Sequence, residues 1–253
     1  MASQEPGGRG GPSAEGSDPT ALALVLAESA TVSKVTSPIL VVLEVTPKRS
    51  FASAIEWPGW TRSGRTPEAA LETLAAYADR YRAVATAAGL TVPTLIGLES
   101  FHVVEEIEGD ATTSFGAPSK AATLECQAVT AREAGRVAVL LDAAWTVLDQ
   151  VVSTLPAELR KGPRGGGRDR DAIFEHVLGA EQAYAGKLGV RVPQPSRDDT
   201  KAIRAMREAL LVVVRGDRTG QPPRDGGWTP RYSARRLAWH ALDHAWEMQD
   251  RSS

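Results

Sequence analysis

Residues 235–251, RRLAWHALDHAWEMQDR, decide the fold that we expect for the second half of the chain. One helical face of this stretch is formed by residues mostly three or four apart: Leu237, His240, Ala241, His244 and Met248. This period is typical of an amphipathic α-helix. Thr229 is a favourable cap and Pro230 a favourable first residue, so the sequence predicts a long helix that begins at Pro230.

Three segments upstream have the same helical period, at about 120–153, 170–188 and 198–215. Together with the helix that follows Thr229, they make four amphipathic helices separated by loops rich in glycine and proline. Four helices with this spacing predict a four-helix bundle.

The first half of the chain has a mixed character. Residues 38–46, PILVVLEVT, are mostly apolar and predict a buried strand, and residues 49–57, RSFASAIEW, alternate and predict its partner. A helix capped by Thr66 is expected to run to Gly89, and a further strand is expected over 95–109. The sequence therefore predicts an α+β fold, with a change of character near residues 115–120.

Composition sets limits on the function. The chain has 253 residues, a formal net charge of −2 and 42% hydrophobic residues, which are ordinary values for a soluble globular protein. The small net charge makes nucleic acid an unfavoured partner, and no apolar run approaches the roughly 20 residues needed to cross a bilayer. Residues 1–35 are polar and glycine-rich, without the basic start of a signal peptide, so we expect a disordered extension or an over-extended translation start on a cytoplasmic protein. The sequence leaves homodimer formation open.

Three of the four histidines are placed as metal ligands would be. His240 and His244 are four residues apart, so their imidazoles share one helical face, one turn apart. His176 lies in the helix predicted over 170–188, three residues after Ile173 on its apolar stripe. We therefore expect all three side chains to point into the bundle, where helical proteins commonly build metal sites.

A structural interpretation of these histidines competes with the metal site. A single inward histidine is more often a hydrogen-bonded core residue, and histidine pairs four apart are common by chance. Burial of three unpaired imidazoles has a desolvation cost, however, which favours something that binds them. Because Cys126 is the only cysteine, the available ligands are imidazole, carboxylate and water, which suit Zn, Ni, Fe or Mn. Asp243 and Glu247 are expected to be partners of the ligands or surface charges.

The loop RKGPRGGGRDRD, residues 160–171, is rich in arginine. It is not a phosphate-binding P-loop, because the GK[ST] ending is absent. One interpretation is a flexible, solvated basic loop. The other is a lid in which Arg164, Arg168 and Arg170 bind an anionic substrate, since guanidinium groups suit carboxylates and phosphates.

The C-terminal half, about 119–251, resembles the DinB/YfiT-like bundles, which include bacterial metal-dependent thiol S-transferases. His176, His240 and His244 match the family pattern of one histidine in the second helix and HxxxH in the fourth, and HAWEMQ (244–249) is similar to the segment after the last ligand. The resemblance implies a divalent ion held by these three histidines. It also implies a low-molecular-weight thiol as co-substrate and a small-molecule substrate.

The N-terminal half, about 36–117, resembles a HicB-like domain. Two strands are followed by the WPGW turn (57–60), and GRTPEAALETLAAYADRY (64–81) is similar to the start of the family's helix. HicB proteins are antitoxins that bind a small ribonuclease, so this half is expected to mediate protein contacts.

The leading hypothesis for function is a metal-dependent enzyme of the thiol S-transferase type. Two alternatives stay open from the sequence. One is a metal-assisted hydrolase, which the same three histidines would serve with a bound hydroxide. The other is a non-catalytic metal- or ligand-binding module, with the HicB-like half making the protein contacts.

Overall fold

The computed structural model describes residues 38–93, 96–162 and 166–252. The expected disordered extension, 1–35, therefore lies outside the described residues. From Pro38 onward the chain forms one compact unit, and it has the mixed α+β character that the sequence predicts. Most buried residues of the sheet and of the helices belong to one hydrophobic cluster, and Val42, Ile55 and Ala122 form a second, smaller one. The expected division into two domains near residue 118 stays a prediction.

Four strands form a single sheet, in the order β3-β2-β1-β4. They are β1 (Ile39–Val45), β2 (Ser50–Ala54), β3 (Thr61–Gly64) and β4 (Phe101–Glu108). β1 is antiparallel to β2, as predicted, and parallel to β4. The strand expected over 95–109 is shorter than predicted, because Leu98–Ser100 form a 3₁₀ turn before β4 begins. The sequence did not predict β3.

Three helices accompany the sheet: α1 (Pro67–Ala76), α2 (Ala78–Ala87) and α3 (Ala111–Phe115). The predicted cap is confirmed, since the Thr66 hydroxyl accepts a hydrogen bond from the backbone N–H of Ala69 at 3.2 Å. The single helix expected from Thr66 to Gly89 is wrong, because Tyr77 leaves the helical conformation and separates α1 from α2. The Tyr77 ring lies edge-on to Trp246 at 5.1 Å, a contact across the fold that the local pattern cannot show.

Four long helices follow: α4 (Ala131–Thr154), α5 (Arg170–Lys187), α6 (Thr200–Gly216) and α7 (Pro230–Ser252). Each of the four packs against the other three. Three begin within two residues of their predicted starts. The prediction that the first begins near residue 120 is wrong, because Thr130 and Glu133 cap each other's backbone N–H groups and start α4 there.

By length and composition α4 is apolar enough to cross a membrane, but half of its most apolar window is buried inside the protein. The core helix of a globular protein passes the same test.

The most deeply buried helix is α7. Every residue from Tyr232 to Leu242 is buried, including the charged Arg235 and Arg236. The sheet reaches this helix as well, because Phe51 of β2 lies edge-on to Trp239 at 6.0 Å. A helix buried on all sides is unusual for a sequence with this many charges, so each buried charge on α7 needs a partner.

The WPGW turn contacts α7 through a glycine. Gly59 has φ of +92°, and a Cβ atom there would lie 2.6 Å from Leu242 Cδ1. We expect Gly59→Ala to lower the free energy of unfolding by about 2–4 kcal/mol, from backbone strain and overpacking together. Urea denaturation measures this loss.

Gly89→Ala is the matched control. Gly89 also has positive φ, +67°, but a Cβ atom added there would have no other atom within 4 Å, so only the strain applies. An equal loss of stability in both variants would contradict the close approach of the turn to α7.

Candidate metal centre

Helices α5 and α7 bring His176, His240 and His244 together. One ring nitrogen of each lies within 4.8 Å of the other two. The ring centroid of His176 is 5.1 Å from those of both other histidines, and the centroids of His240 and His244 are 4.7 Å apart. The convergence that the spacing predicted is therefore confirmed.

The three histidines differ in burial. His240 is 8% exposed, and the side chain of His244 is 15% exposed. The expectation that all three point away from water is wrong for His176, which is exposed. The buried face of α5 runs through Ile173 and Val177 and leaves His176 at its margin. One side of the cluster is consequently open to solvent.

Glu247 orients the last histidine. Its Oε2 lies 2.8 Å from Nδ1 of His244, and its Oε1 accepts a hydrogen bond from Arg251 at 2.7 Å. The hydrogen bond with His244 is the main reason that the pKa of Glu247 is lowered. A carboxylate on Nδ1 fixes the ring and leaves Nε2 for a metal, which is the usual outer arrangement of histidine ligands.

His240 has an unsatisfied nitrogen. Its Nδ1 is buried and has no hydrogen-bond partner among the described residues. Burial, followed by the proximity of His244 and His176, holds the pKa of His240 well below its usual range. Burial is also the largest cause of the lowered pKa of His176. Neutral imidazoles keep the lone pair that a metal ion needs.

The spacing fits a metal ion after a small contraction. Nitrogen ligands at about 2.0–2.1 Å from a tetrahedral zinc ion are about 3.3 Å apart. The ligand nitrogens here are separated by up to 4.8 Å, so the rings would move inward by about 1 Å. His176 is exposed and free of packing on one side, so its ring has room for this movement.

The neighbouring carboxylates have other partners. Asp243 forms an ion pair with Arg62 at 2.7 Å, and Glu175 lies 3.4 Å from Arg197. Of the acidic residues that adjoin the histidines in sequence, Glu247 alone bonds a histidine among the contacts of the described residues.

The arginines predicted to bind substrate lie in different surroundings. Arg164 is outside the described residues. Arg168 is exposed and its charge contributes to the lowered pKa of His176, after burial and His244. Arg170 is held by Asp171 and by the carbonyl oxygen of Leu155. A role for these three in substrate binding stays a prediction.

Sequence reasoning missed one residue next to the cluster. Arg236 lies on α7 one turn before His240, and its guanidinium packs on the rings of Tyr184 and Trp239, which also contact His240. The signal was present, since Arg236 and His240 are four apart and so share a helical face.

Comparison with protein-family models, with curated proteins and with solved structures found no match for this chain. The resemblances to DinB-like and HicB-like proteins therefore stay predictions from the sequence.

Proposed function

We propose that the protein is a divalent-metal-dependent enzyme of the thiol S-transferase type, with His176, His240 and His244 as the metal ligands. The observation that carries the proposal is the convergence of three imidazole nitrogens from two helices to within 4.8 Å. The buried, unpartnered Nδ1 of His240 supports it, because a bound cation is one of the few things that satisfies such a group.

The exposure of the cluster favours a catalytic site over a structural one. Structural zinc sites are closed by four protein ligands, whereas catalytic sites keep a position for water or substrate. Three histidines with an exposed His176 leave such a position.

A divalent ion, when bound, lowers the pKa of a thiol or water in its open position and so supplies a nucleophile at neutral pH. The residues of the chain have separate tasks. Glu247 holds His244 in one ring orientation, and Arg251 holds Glu247. Burial keeps His240 neutral and able to bind. The exposed side of His176 is where a substrate approaches.

Metal loading followed by an activity assay tests the proposal. The full chain is dialysed against Zn²⁺ or Ni²⁺ and its metal content is measured by mass spectrometry. The loaded protein is then assayed with a low-molecular-weight thiol and a panel of electrophiles, and with esters in the absence of thiol.

We expect one ion per chain and thiol adducts that form only in the loaded protein. A triple alanine variant of the three histidines that keeps its full metal content would refute the metal site. Ester hydrolysis without any thiol reaction would favour the hydrolase, and metal binding without either reaction would favour the non-catalytic module.

Glu247→Gln is expected to weaken metal binding by about tenfold or more, because the carboxylate that orients His244 loses its charge. Competition with a chromogenic chelator measures the affinity. Asp243→Asn is the matched control, since Asp243 stands between His240 and His244 in the sequence but forms its ion pair with Arg62. Equal weakening in both variants would contradict the role of Glu247.

A further inference from the structure

Three arginines of the described residues are almost fully buried: Arg207, Arg235 and Arg236 are 5%, 3% and 8% exposed. A buried guanidinium is costly unless it is paired. Arg207 pairs with the buried Glu181 at 3.1 Å, and Arg235 pairs with the buried Glu125 at 2.7 Å. Two of the three therefore follow the rule.

Arg236 does not. No carboxylate of the described residues lies within 4.0 Å of its guanidinium. Its one hydrogen bond within the described part of the chain runs from Nη1 to the carbonyl oxygen of Pro118, at 2.7 Å. Nε is buried without a partner, and Nη2 donates to none of the residues that the structure describes. Nε and Nη2 form one edge of the guanidinium fork, the edge that binds a carboxylate with two parallel hydrogen bonds.

The guanidinium of Arg236 lies in the same group of side chains as the histidines. The Arg236 Cζ atom is 4.7 Å from the ring centroid of Trp239 and 5.5 Å from that of Tyr184. Those two rings lie 6.0 and 6.1 Å from the ring of His240. Arg236 is thus held beside the most buried histidine, one helical turn away along α7.

We propose that Arg236 binds an oxyanion, a carboxylate or a phosphate, of the small molecule whose other end reaches the three histidines. This inference rests on the proposed function, and it names the substrate class of that site. The rings of Trp239 and Tyr184 hold the guanidinium in place by cation–π contacts, which Lys would make less well. Arg236 then orients the substrate, and the arginines of residues 160–170 are not needed for that task.

The spacing along α7 favours a short ligand. One helical turn rises about 5.4 Å, which gives the scale of a molecule that reaches from Arg236 to the histidines. Succinate has two carboxylates joined by two carbons and is a suitable probe. Inorganic phosphate tests whether the oxyanion that Arg236 binds is a phosphate.

Calorimetric titration of the full, zinc-loaded chain with succinate, and separately with inorganic phosphate, tests the proposal. We expect Arg236→Gln to bind the preferred anion about tenfold or more weakly than the wild type. Arg236→Lys keeps the charge but lacks the guanidinium fork, so its affinity for the anion should lie between those of the wild type and Arg236→Gln. Arg132→Gln is the matched control, because Arg132 is an exposed arginine at the start of α4 with no predicted role in binding, and it should change binding by less than about threefold.

Zinc content and thermal melting are measured first on every protein, so that the two proposals fail separately. A wild type that takes up no zinc refutes the proposed function. A zinc-loaded wild type that binds neither anion overturns the inference about Arg236, and so does equal binding by wild type and Arg236→Gln. If Arg236→Gln does not fold, Arg236→Lys decides by the same comparison. Arg236-dependent binding of only one anion supports the site and identifies its group.

Discussion

His240→Ala is expected to abolish stoichiometric metal binding. Zinc-binding free energies of about 10–16 kcal/mol for four-ligand sites amount to roughly 3 kcal/mol per ligand, so the loss of one imidazole weakens binding by about two orders of magnitude or more. His240 is the most buried of the three ligands, and its ring lies 5.1 and 4.7 Å from the other two. Equilibrium dialysis with Zn²⁺ at micromolar concentration measures the change.

His102→Ala is the control for this experiment, because His102 lies on β4, away from the cluster. We expect it to keep one ion per chain. The fold of His240→Ala should survive, because the imidazole it removes makes no hydrogen bond through Nδ1. Unchanged zinc binding by His240→Ala would show that the histidines are a packing cluster.

Arg207→Met is expected to lower the free energy of unfolding by about 3–5 kcal/mol, because it leaves the buried carboxylate of Glu181 without its partner. Arg207 donates to Glu181 through Nε and Nη2, at 3.1 and 3.2 Å. Loss of the contact with Asp149 lowers the stability less, because the side chain of Asp149 is 52% exposed and solvated. Guanidinium denaturation of the two proteins gives the difference.

The double variant Glu181→Leu with Arg207→Met distinguishes the contribution of the ion pair to stability from that of side-chain packing. Removal of both charges should restore most of the stability, since an apolar pair of similar volume often replaces a buried ion pair without loss. A double variant as unstable as Arg207→Met would instead assign the loss to packing of the arginine on Trp145.

The pH dependence of Arg207→Met follows from the same pair. Burial raises the pKa of Glu181 above its ordinary value of 4.5, and Arg207 opposes that shift. A raised pKa means that the folded state holds the proton more tightly than the unfolded state, so stability falls as pH rises above about 4.5. The deficit of the variant should therefore be smaller at about pH 4 than at about pH 7.

Local patterns predicted much of the helical half. The apolar period placed α5 and α6 within two residues of their starts, and the local signals of Thr229 and Pro230 placed the start of α7. The elements that the sequence did not predict depend on contacts between residues far apart in the chain. Residues Thr123–Cys126 form a 3₁₀ turn before α4, and this turn is held by the ion pair of Glu125 with Arg235, which are 110 residues apart. The break at Tyr77 has no glycine or proline to mark it.

Local spacing also predicted part of the candidate site. The step of four from His240 to His244 places both on one face of α7, and the packing of α5 against α7 brings His176 close to them. Its exposure was missed, because a three-residue step from Ile173 does not distinguish the centre of a stripe from its margin. Glu247 was among the expected partners. The sequence shows that Arg236 shares a helical face with His240, but the absence of a carboxylate beside Arg236 can be seen only in three dimensions.

The burial of α7 has a consequence for biosynthesis. The sheet and the helices α4, α5 and α6 all pack on this helix, and all of them precede it in the chain. As the protein is synthesised, their apolar faces lack a covering surface until residues 230–252 have been added. The nascent chain is thus exposed to aggregation for most of its translation, and a stop codon before Pro230 would leave a product that chaperones and proteases recognise as unfolded.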